Sequence, residues 1–198
     1  TEVPLGTGII IKGPSGSGKS SLLRAIAGLW RSGKGDITRP ELTSLMFLSQ
    51  KPYMSLGSLR DQLLYPHVRT DLSDADLIAA LERANVGFLA TRYPGGLDGF
   101  PGEGQEGVFR PWSDELSPGE QQRLAFARLL IARPKFVFLD EATSALDIAN
   151  EELLYRTLQT IGATYVSVGH RPSLDGYHHQ SLTLAGDGKW ELLQNTKK

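Results

Sequence analysis

Residues 8–30, GIIIKGPSGSGKSSLLRAIAGLW, leave the chain few choices of fold. The β-branched apolar run at its start reads as a buried strand. A Gly/Ser loop follows at residues 13–18. Leu22, Leu23, Ile26 and Leu29 then recur at helical spacing, with Gly28 and Gly33 as stop signals. Within this stretch Gly13–Ser20 matches G-x-x-x-x-G-K-[ST] in full, after a strand and at the opening of a helix, where its mechanism requires it. The glycines let backbone N–H groups converge on phosphate oxygens, and the helix N-terminus adds partial positive charge. Gly13, Pro14, Ser15, Gly16, Ser17, Gly18, Lys19, Ser20 and Ser21 are the candidate nucleotide-binding residues. Lys19 is placed to act as a point charge on the β- and γ-phosphates, and the Ser20 hydroxyl to ligate Mg²⁺. The competing explanation is a flexible loop with a chance lysine, against which strand, loop and helix all agree.

A second strand is expected at residues 44–50 (SLMFLSQ). From Lys51 to Glu115 the chain changes character and reads as a mostly helical insertion. Ser58 with Asp61 and Ser73 with Asp76 resemble capping boxes. DADLIAALERANV predicts a helix of about three turns, whereas RYPGGLDGFPGEGQEGVFRP is too crowded with Gly and Pro for a core element. The βα rhythm then returns: a helix after Leu116 ending at Pro134, the strand KFVFLD, a helix closed by Gly162, the strand TYVSVGH, and a hairpin turning on Asp187-Gly188. Alternating strands and helices predict an α/β fold with a mainly parallel sheet. The expected organisation is a core of residues 1–50 and 116–198 carrying a helical insertion at 51–115.

The 198 residues suffice for a core that needs no disulfide or metal staple. There is no cysteine, which excludes disulfides and Cys-based metal sites. The net charge of −1 gives no reason to expect nucleic acid as a partner. No apolar run approaches the ~18 residues of a membrane span. The chain begins at Thr1 and is expected to be a piece of something longer.

KFVFLDEATSALD supplies what a phosphate loop needs next. Asp140 is expected at the carboxyl end of a core strand, where open α/β sheets bind ligands, and can hold Mg²⁺ through water. Glu141 follows directly with a different side-chain direction and is a candidate general base for an attacking water. The alternative is that Glu141 caps a loop, although two adjacent acids after a buried strand are costly to desolvate.

Ser117-Pro118-Gly119-Glu120 has a sufficient structural explanation: Ser117 as N-cap, Pro118 at the first helical position, and Glu120 closing a capping box. The same geometry also makes an anion site, with a hydroxyl, a glycine N–H and an outward dipole. A glutamate at the third helical position opposes a bound phosphate, and the residues alone leave that conflict open.

Together these motifs resemble the ATP-binding cassette (ABC) ATPases. LSPGEQQR stands where that family has its LSGGQ signature, SALD matches its D-loop, His170 its switch histidine and Gln50 its Q-loop glutamine. Six motifs fall in the family's order between Gly13 and His170. The resemblance implies a P-loop NTPase core, with ATP and Mg²⁺ as cofactors. It also implies two cassettes docked head to tail, as a homo- or heterodimer. Ser117 and Gly119 would then contact the γ-phosphate held by the opposite cassette, and Asp147 would lie across the dimer interface. Gln50 would approach Mg²⁺ and the water, and His170 would hold the γ-phosphate. The pair His178-His179 reads as solvated surface.

The flanking stretches look like the D subfamily of ABC exporters and its bacterial relatives. The implied function is the ATP-hydrolysing motor of an exporter-type half-transporter, at the cytoplasmic face of a membrane, the chain by itself being soluble. Its transmembrane domain would be the second partner, with Tyr53 and Met54 facing the coupling helices. In the family an aromatic roughly 25 residues before the phosphate loop stacks on adenine. Only 12 residues precede Gly13 here, so that residue and the N-terminal antiparallel strands are expected to be missing and base recognition impaired. Pro118 removes one N–H near the phosphate. A non-transport ABC ATPase is the alternative, but such proteins insert long coiled coils, and no sustained heptads occur. A regulatory module without turnover would lack the base, and Glu141 is present.

Overall fold

The computed structural model describes residues 1–30, 33–41, 44–66, 71–102 and 111–195. Two compact units emerge: Thr1–Gln50, Pro134–Ser144 and Tyr155–Lys198 form one, Lys51–Arg133 and Ala145–Leu154 the other.

The first unit is built on a six-stranded sheet. Its strands are β1 (Gly8–Lys12), β2 (Leu45–Ser49), β3 (Phe136–Asp140), β4 (Thr164–Val168), β5 (Gln180–Leu184) and β6 (Trp190–Gln194). They lie in the order β2-β3-β4-β1-β5-β6. The first five run parallel, and β6 closes antiparallel on β5. The Asp187-Gly188 turn lies between β5 and β6, as expected. Ile9, Ile10 and Ile11 are all buried, the unalternating pattern of a strand covered on both faces. On one face Leu23 and Ala27 of helix α1 (Lys19–Ile26) and its cap pack on Ile9, Ile11, Phe138, Val166 and Val168. Each such buried Leu, Ile, Val or Phe side chain contributes roughly 1.5–3 kcal/mol. On the other face Tyr165 meets Tyr155 at 5.9 Å between ring centroids.

His178 corrects the reading of a solvated histidine pair: it is 2% exposed, set edge-on between Tyr155 and Tyr165 at 5.1 and 5.2 Å. Burial pushes its pKa down to about 4. Its neighbour His179 is half-buried, and its Nδ1 accepts from the Gly8 N–H at 3.3 Å. Two polar letters in a row look like surface because nothing local reveals the aromatic walls that β4 and the preceding helix bring around the first.

The second unit is helical: α2 (Leu59–Leu64), α3 (Asp74–Arg83), α4 (Leu89–Arg92), α5 (Trp112–Glu115) and α6 (Pro118–Ala132). The capping boxes at Ser58/Asp61 and Ser73/Asp76 both form. The Gly/Pro-rich stretch holds one 3₁₀ turn, Gly96–Asp98, with Leu97 buried; residues 103–110 of it lie outside the described residues. α2 and α3 pack on α6, which is buried over every residue from Leu124 to Ile131. Contacts therefore group α6 with the helical unit, whereas the sequence division returned to the core at Leu116. Arg128 is the polar tie inside this packing. Its Nε donates to the Gln62 carbonyl at 2.6 Å, Nη1 to the Tyr53 carbonyl at 2.6 Å and Nη2 to Gln62 Oε1 at 3.0 Å. Helix α7 (Ile148–Thr160) passes from this unit into the sheet unit. Among the described residues no helix is long and apolar enough to cross a membrane.

Candidate functional site

The carboxyl ends of four neighbouring parallel strands assemble the site. Ser49 of β2 is in register with Asp140 of β3, Asp140 with Val168 of β4, and Val168 with Ile11 of β1. Each strand therefore delivers the residues after it to one edge of the sheet: Gln50, Glu141, His170 and the phosphate loop. This edge is where an open α/β sheet offers its loops to ligand.

β1 ends at Lys12, and Gly13 turns the chain at φ 143°. A Cβ on Gly13 would run into the Leu184 carbonyl and sit 2.7 Å from Ser17 Oγ, so only glycine lets the loop lie this close to β5. Pro14, Ser15 and Gly16 are exposed. Gly18, in the left-handed region at φ 92°, starts α1 and leaves Lys19 and Ser20 as its first two residues, followed by Ser21. Lys19 is 6% exposed, with Nζ donating to the carbonyls of Gly13 and Pro14 at 3.0 and 2.9 Å. Its charge is thus held at the mouth of the loop. Ser17 Oγ is buried with no protein partner among the described residues, an unsatisfied hydroxyl in the wall of the loop.

The Ser20 hydroxyl donates to Asp140 Oδ1 at 2.7 Å, and Arg24 Nη2 lies 3.3 Å from Asp140 Oδ2. A serine hydroxyl and a carboxylate side by side are hard oxygen donors of the kind that suits Mg²⁺ shared with phosphate oxygens. Glu141 turns out of β3 at φ 51°, a left-handed conformation that costs a non-glycine residue of order 1–3 kcal/mol. Its N–H donates to the Val168 carbonyl at 3.1 Å, which fixes the turn. Its carboxylate Oε1 stands 3.5 Å from His170 Nε2. Arg171 Nη2 donates to the Ser144 carbonyl at 3.1 Å, bracing the loop that follows Glu141. Gln50 is exposed directly after β2. Arg171 and the left-handed backbone of Glu141 carry no sequence signal beyond their position beside the motif residues.

Ser117, Gly119 and Asp147 belong to the helical unit. Ser117 caps α6 through a full capping box with Glu120, and Pro118 occupies the first turn. The Ser117 N–H donates to Glu120 Oε2 at 2.7 Å, and the Glu120 N–H to Ser117 Oγ at 3.3 Å. Burial pushes the Glu120 pKa up, but the Ser117 hydroxyl and N–H and the charges of Arg92 and Arg123 outweigh it and hold the carboxyl below its usual range. Arg92 Nη1 lies 3.3 Å from Glu120 Oε1. The glutamate that sets a negative charge against an anion at this helix start is thus folded back on the cap and paired. A Cβ on Gly119 would lie 3.0 Å from the Ala145 carbonyl, and Gln122 Oε1 accepts from the Ala145 N–H at 3.0 Å. These contacts seat the start of α6 against the stretch leading to Asp147. Asp147 Oδ1 in turn accepts from the Asn150 N–H and side-chain amide at 2.8 and 2.9 Å, and Asn150 Oδ1 accepts from the Asn85 amide at 3.2 Å. Gln122 and Asn150, both buried, are supporting residues that the motifs did not reveal.

A family model described as ABC transporter matches residues 1–144. An uncharacterized ABC transporter ATP-binding protein of Synechocystis sp. is 51% identical over 187 residues, covering 94% of this chain and 27% of that protein. ABC transporter D family member 2, chloroplastic, of Arabidopsis thaliana is 44% identical, covering 89% and 30%. The lysosomal cobalamin transporter ABCD4 of Homo sapiens is 44% identical, covering 98% and 32%. The solved structure of a bacterial Atm1-family ABC exporter with ATP bound matches with a TM-score of 0.78 at 26% identity, over 98% of this chain and 35% of that one. The chain spans about a third or less of the length of these relatives. A phosphate loop, an acidic strand end and a histidine gathered at one sheet edge agree with these matches, and the chain belongs to the ABC transporter family.

Proposed function

We propose that this chain is the ATP-binding and ATP-hydrolysing motor of an exporter-type ABC half-transporter, working at the cytoplasmic face of a membrane. The observation that carries the reading is the Ser20–Asp140 hydrogen bond of 2.7 Å beside the Glu141–His170 approach of 3.5 Å. It sets a phosphate loop, a metal-type oxygen pair and a base within one frame. The phosphates of ATP lie along the amides of residues 13–21, with Lys19 turning its ammonium from the loop carbonyls to the β- and γ-phosphates. Ser20 and Asp140, with Gln50 from the neighbouring strand end, would hold Mg²⁺, which would supply charge neutralisation at the phosphates. Glu141 accepts the proton of the attacking water. His170 orients that carboxylate and holds the γ-phosphate. A positioned base of this kind contributes on the order of 10²- to 10⁴-fold in rate.

Ser117 and Gly119 serve the nucleotide of a second cassette, and Asp147 faces that partner. The paired Glu120 supports this role, because its carboxylate is bonded back to the Ser117 N–H and lies beside Arg92, so no free carboxylate opposes an anion at the start of α6. The transmembrane domain docks near Tyr53 and Met54. Tyr53 is 61% exposed, while its carbonyl and the Met54 sulfur are both held by Arg128. A rigid backbone under an exposed aromatic is the arrangement a docking surface needs.

Gel filtration with light scattering on Glu141→Gln tests the reading, with ATP and Mg²⁺ against ADP. A dimer formed with ATP alone is the expected result. A monomer that has bound ATP contradicts the role of Ser117 and Gly119 in a second cassette.

A further inference from the structure

We propose that Asp175 and His178 are positioning residues that hold His170 in register with the phosphate loop, through the turn of residues 171–178. The inference rests on the nucleotide role given to His170 above. β4 ends at Val168, His170 follows two residues later, and the chain returns to β5 through the 3₁₀ turn Pro172–Tyr177. That return is fastened at both ends.

The inner fastening is His178. Its Nδ1 lies 2.6 Å from the Leu174 carbonyl and its Nε2 2.8 Å from Ser167 Oγ. A carbonyl only accepts, so Nδ1 carries the proton and Nε2 accepts from the serine hydroxyl. Ser167 is fully buried and stands three residues before His170; Leu174 stands four after. One imidazole therefore pins the chain on both sides of the switch histidine. The Asn195 side-chain amide donates to the His178 carbonyl at 3.1 Å, tying the same residue to the end of the hairpin.

The outer fastening is an ion pair between Asp175 and Lys12. Lys12 is the last residue of β1 and precedes Gly13, whose carbonyl accepts from Lys19 Nζ. A shift of the turn that carries Asp175 thus reaches the entrance of the phosphate loop through one pair of charges. Arg171 adds a third tie, from the residue after His170 to the Ser144 carbonyl in the Glu141 loop. Neither Asp175 nor His178 is given a contact with phosphate, water or metal in the hydrolytic chemistry. Their contacts instead fix where His170 stands relative to the groups that have one. Holding reacting groups in place is itself a large part of catalysis, and small misplacements are costly.

The chain has four histidines, so the imidazole NMR signal of His170 is assignable by comparison with His170→Gln. Mg²⁺ with a non-hydrolysable ATP analogue is the probe, and steady-state ATP turnover is measured alongside. In the wild type the analogue shifts the His170 signal. In Asp175→Asn that shift shrinks at saturating analogue and kcat falls on the order of tenfold with KM unchanged. The charge exchange Lys12→Asp with Asp175→Lys restores both. His178→Gln gives the same loss, and the exchange variant decides the matter should His178→Gln fail to fold. A full response of His170 in Asp175→Asn with wild-type kcat, or no restoration by the exchange, overturns the proposal. A wild-type His170 signal unmoved by the analogue overturns it differently, by removing the nucleotide role of His170 on which it rests.

Discussion

The Ser20 hydroxyl donates to Asp140 Oδ1 across 2.7 Å, joining the first turn of α1 to the end of β3 between residues 120 apart in sequence. The two oxygens form a ready pair for a hard cation, and each orients the other. Replacing Ser20 by Ala leaves Asp140 with the Arg24 guanidinium at 3.3 Å, which draws the carboxylate toward a competing cation. The Mg²⁺ concentration needed for tight ATP binding should rise at least on the order of tenfold. Calorimetric titration of ATP at several Mg²⁺ concentrations measures it.

His178 makes stability depend on pH. Its folded pKa of about 4 lies below the unfolded value of 6.5. Between those values the unfolded chain binds a proton that the folded chain excludes, so stability is fully present above pH 6.5 and declines as the pH falls toward 4. The loss from pH 7 to pH 5 should be about 2 kcal/mol. Urea midpoints at the two pH values, for wild type and His178→Gln, isolate it: the variant should lack this part of the slope.

The cap of α6 is reciprocal, each of Ser117 and Glu120 satisfying an N–H of the other. Ser117→Ala should cost about 1 kcal/mol of stability. The double variant with Glu120→Ala should cost less than the sum of the single losses, because one structure is lost twice. Denaturant unfolding of the four proteins gives the coupling energy.

Arg128 satisfies two backbone carbonyls and a side-chain amide from within the helical unit, at 5% exposure. Burial, opposed by Tyr65, lowers its pKa to about 10. Arg128→Met removes the donor to the Gln62 and Tyr53 carbonyls, while Gln62 Oε1 keeps the Ser55 N–H at 3.0 Å, and should destabilise by roughly 2–4 kcal/mol. Arg128→Lys should recover little, since an ammonium lacks the planar fork that reaches Gln62 and Tyr53 together. Thermal unfolding compares the three.

What could be read from the sequence was local. The strand–loop–helix around Gly13–Ser20, the α6 capping box and the hairpin at Asp187-Gly188 depend on neighbours within a few residues, and all three form. The order of strands was not legible in the same way. β1 lies between β4 and β5, partners more than 150 residues away. The burial of His178, Arg128 and Gln122 was hidden for the same reason, since each is polar and each finds its partners through tertiary packing. The acids at 140 and 141 were visible as a pair. The left-handed turn that separates their directions was not, because glutamate has no local preference for it.

The proposed hydrolysis turns on Glu141 as the base at a bound nucleotide. Phosphate release from ATP with Mg²⁺ should fall on the order of 10²- to 10⁴-fold in Glu141→Gln, with ATP affinity retained. Equal turnover by wild type and variant would contradict this role of Glu141, since the proton of the attacking water would then be taken by another group.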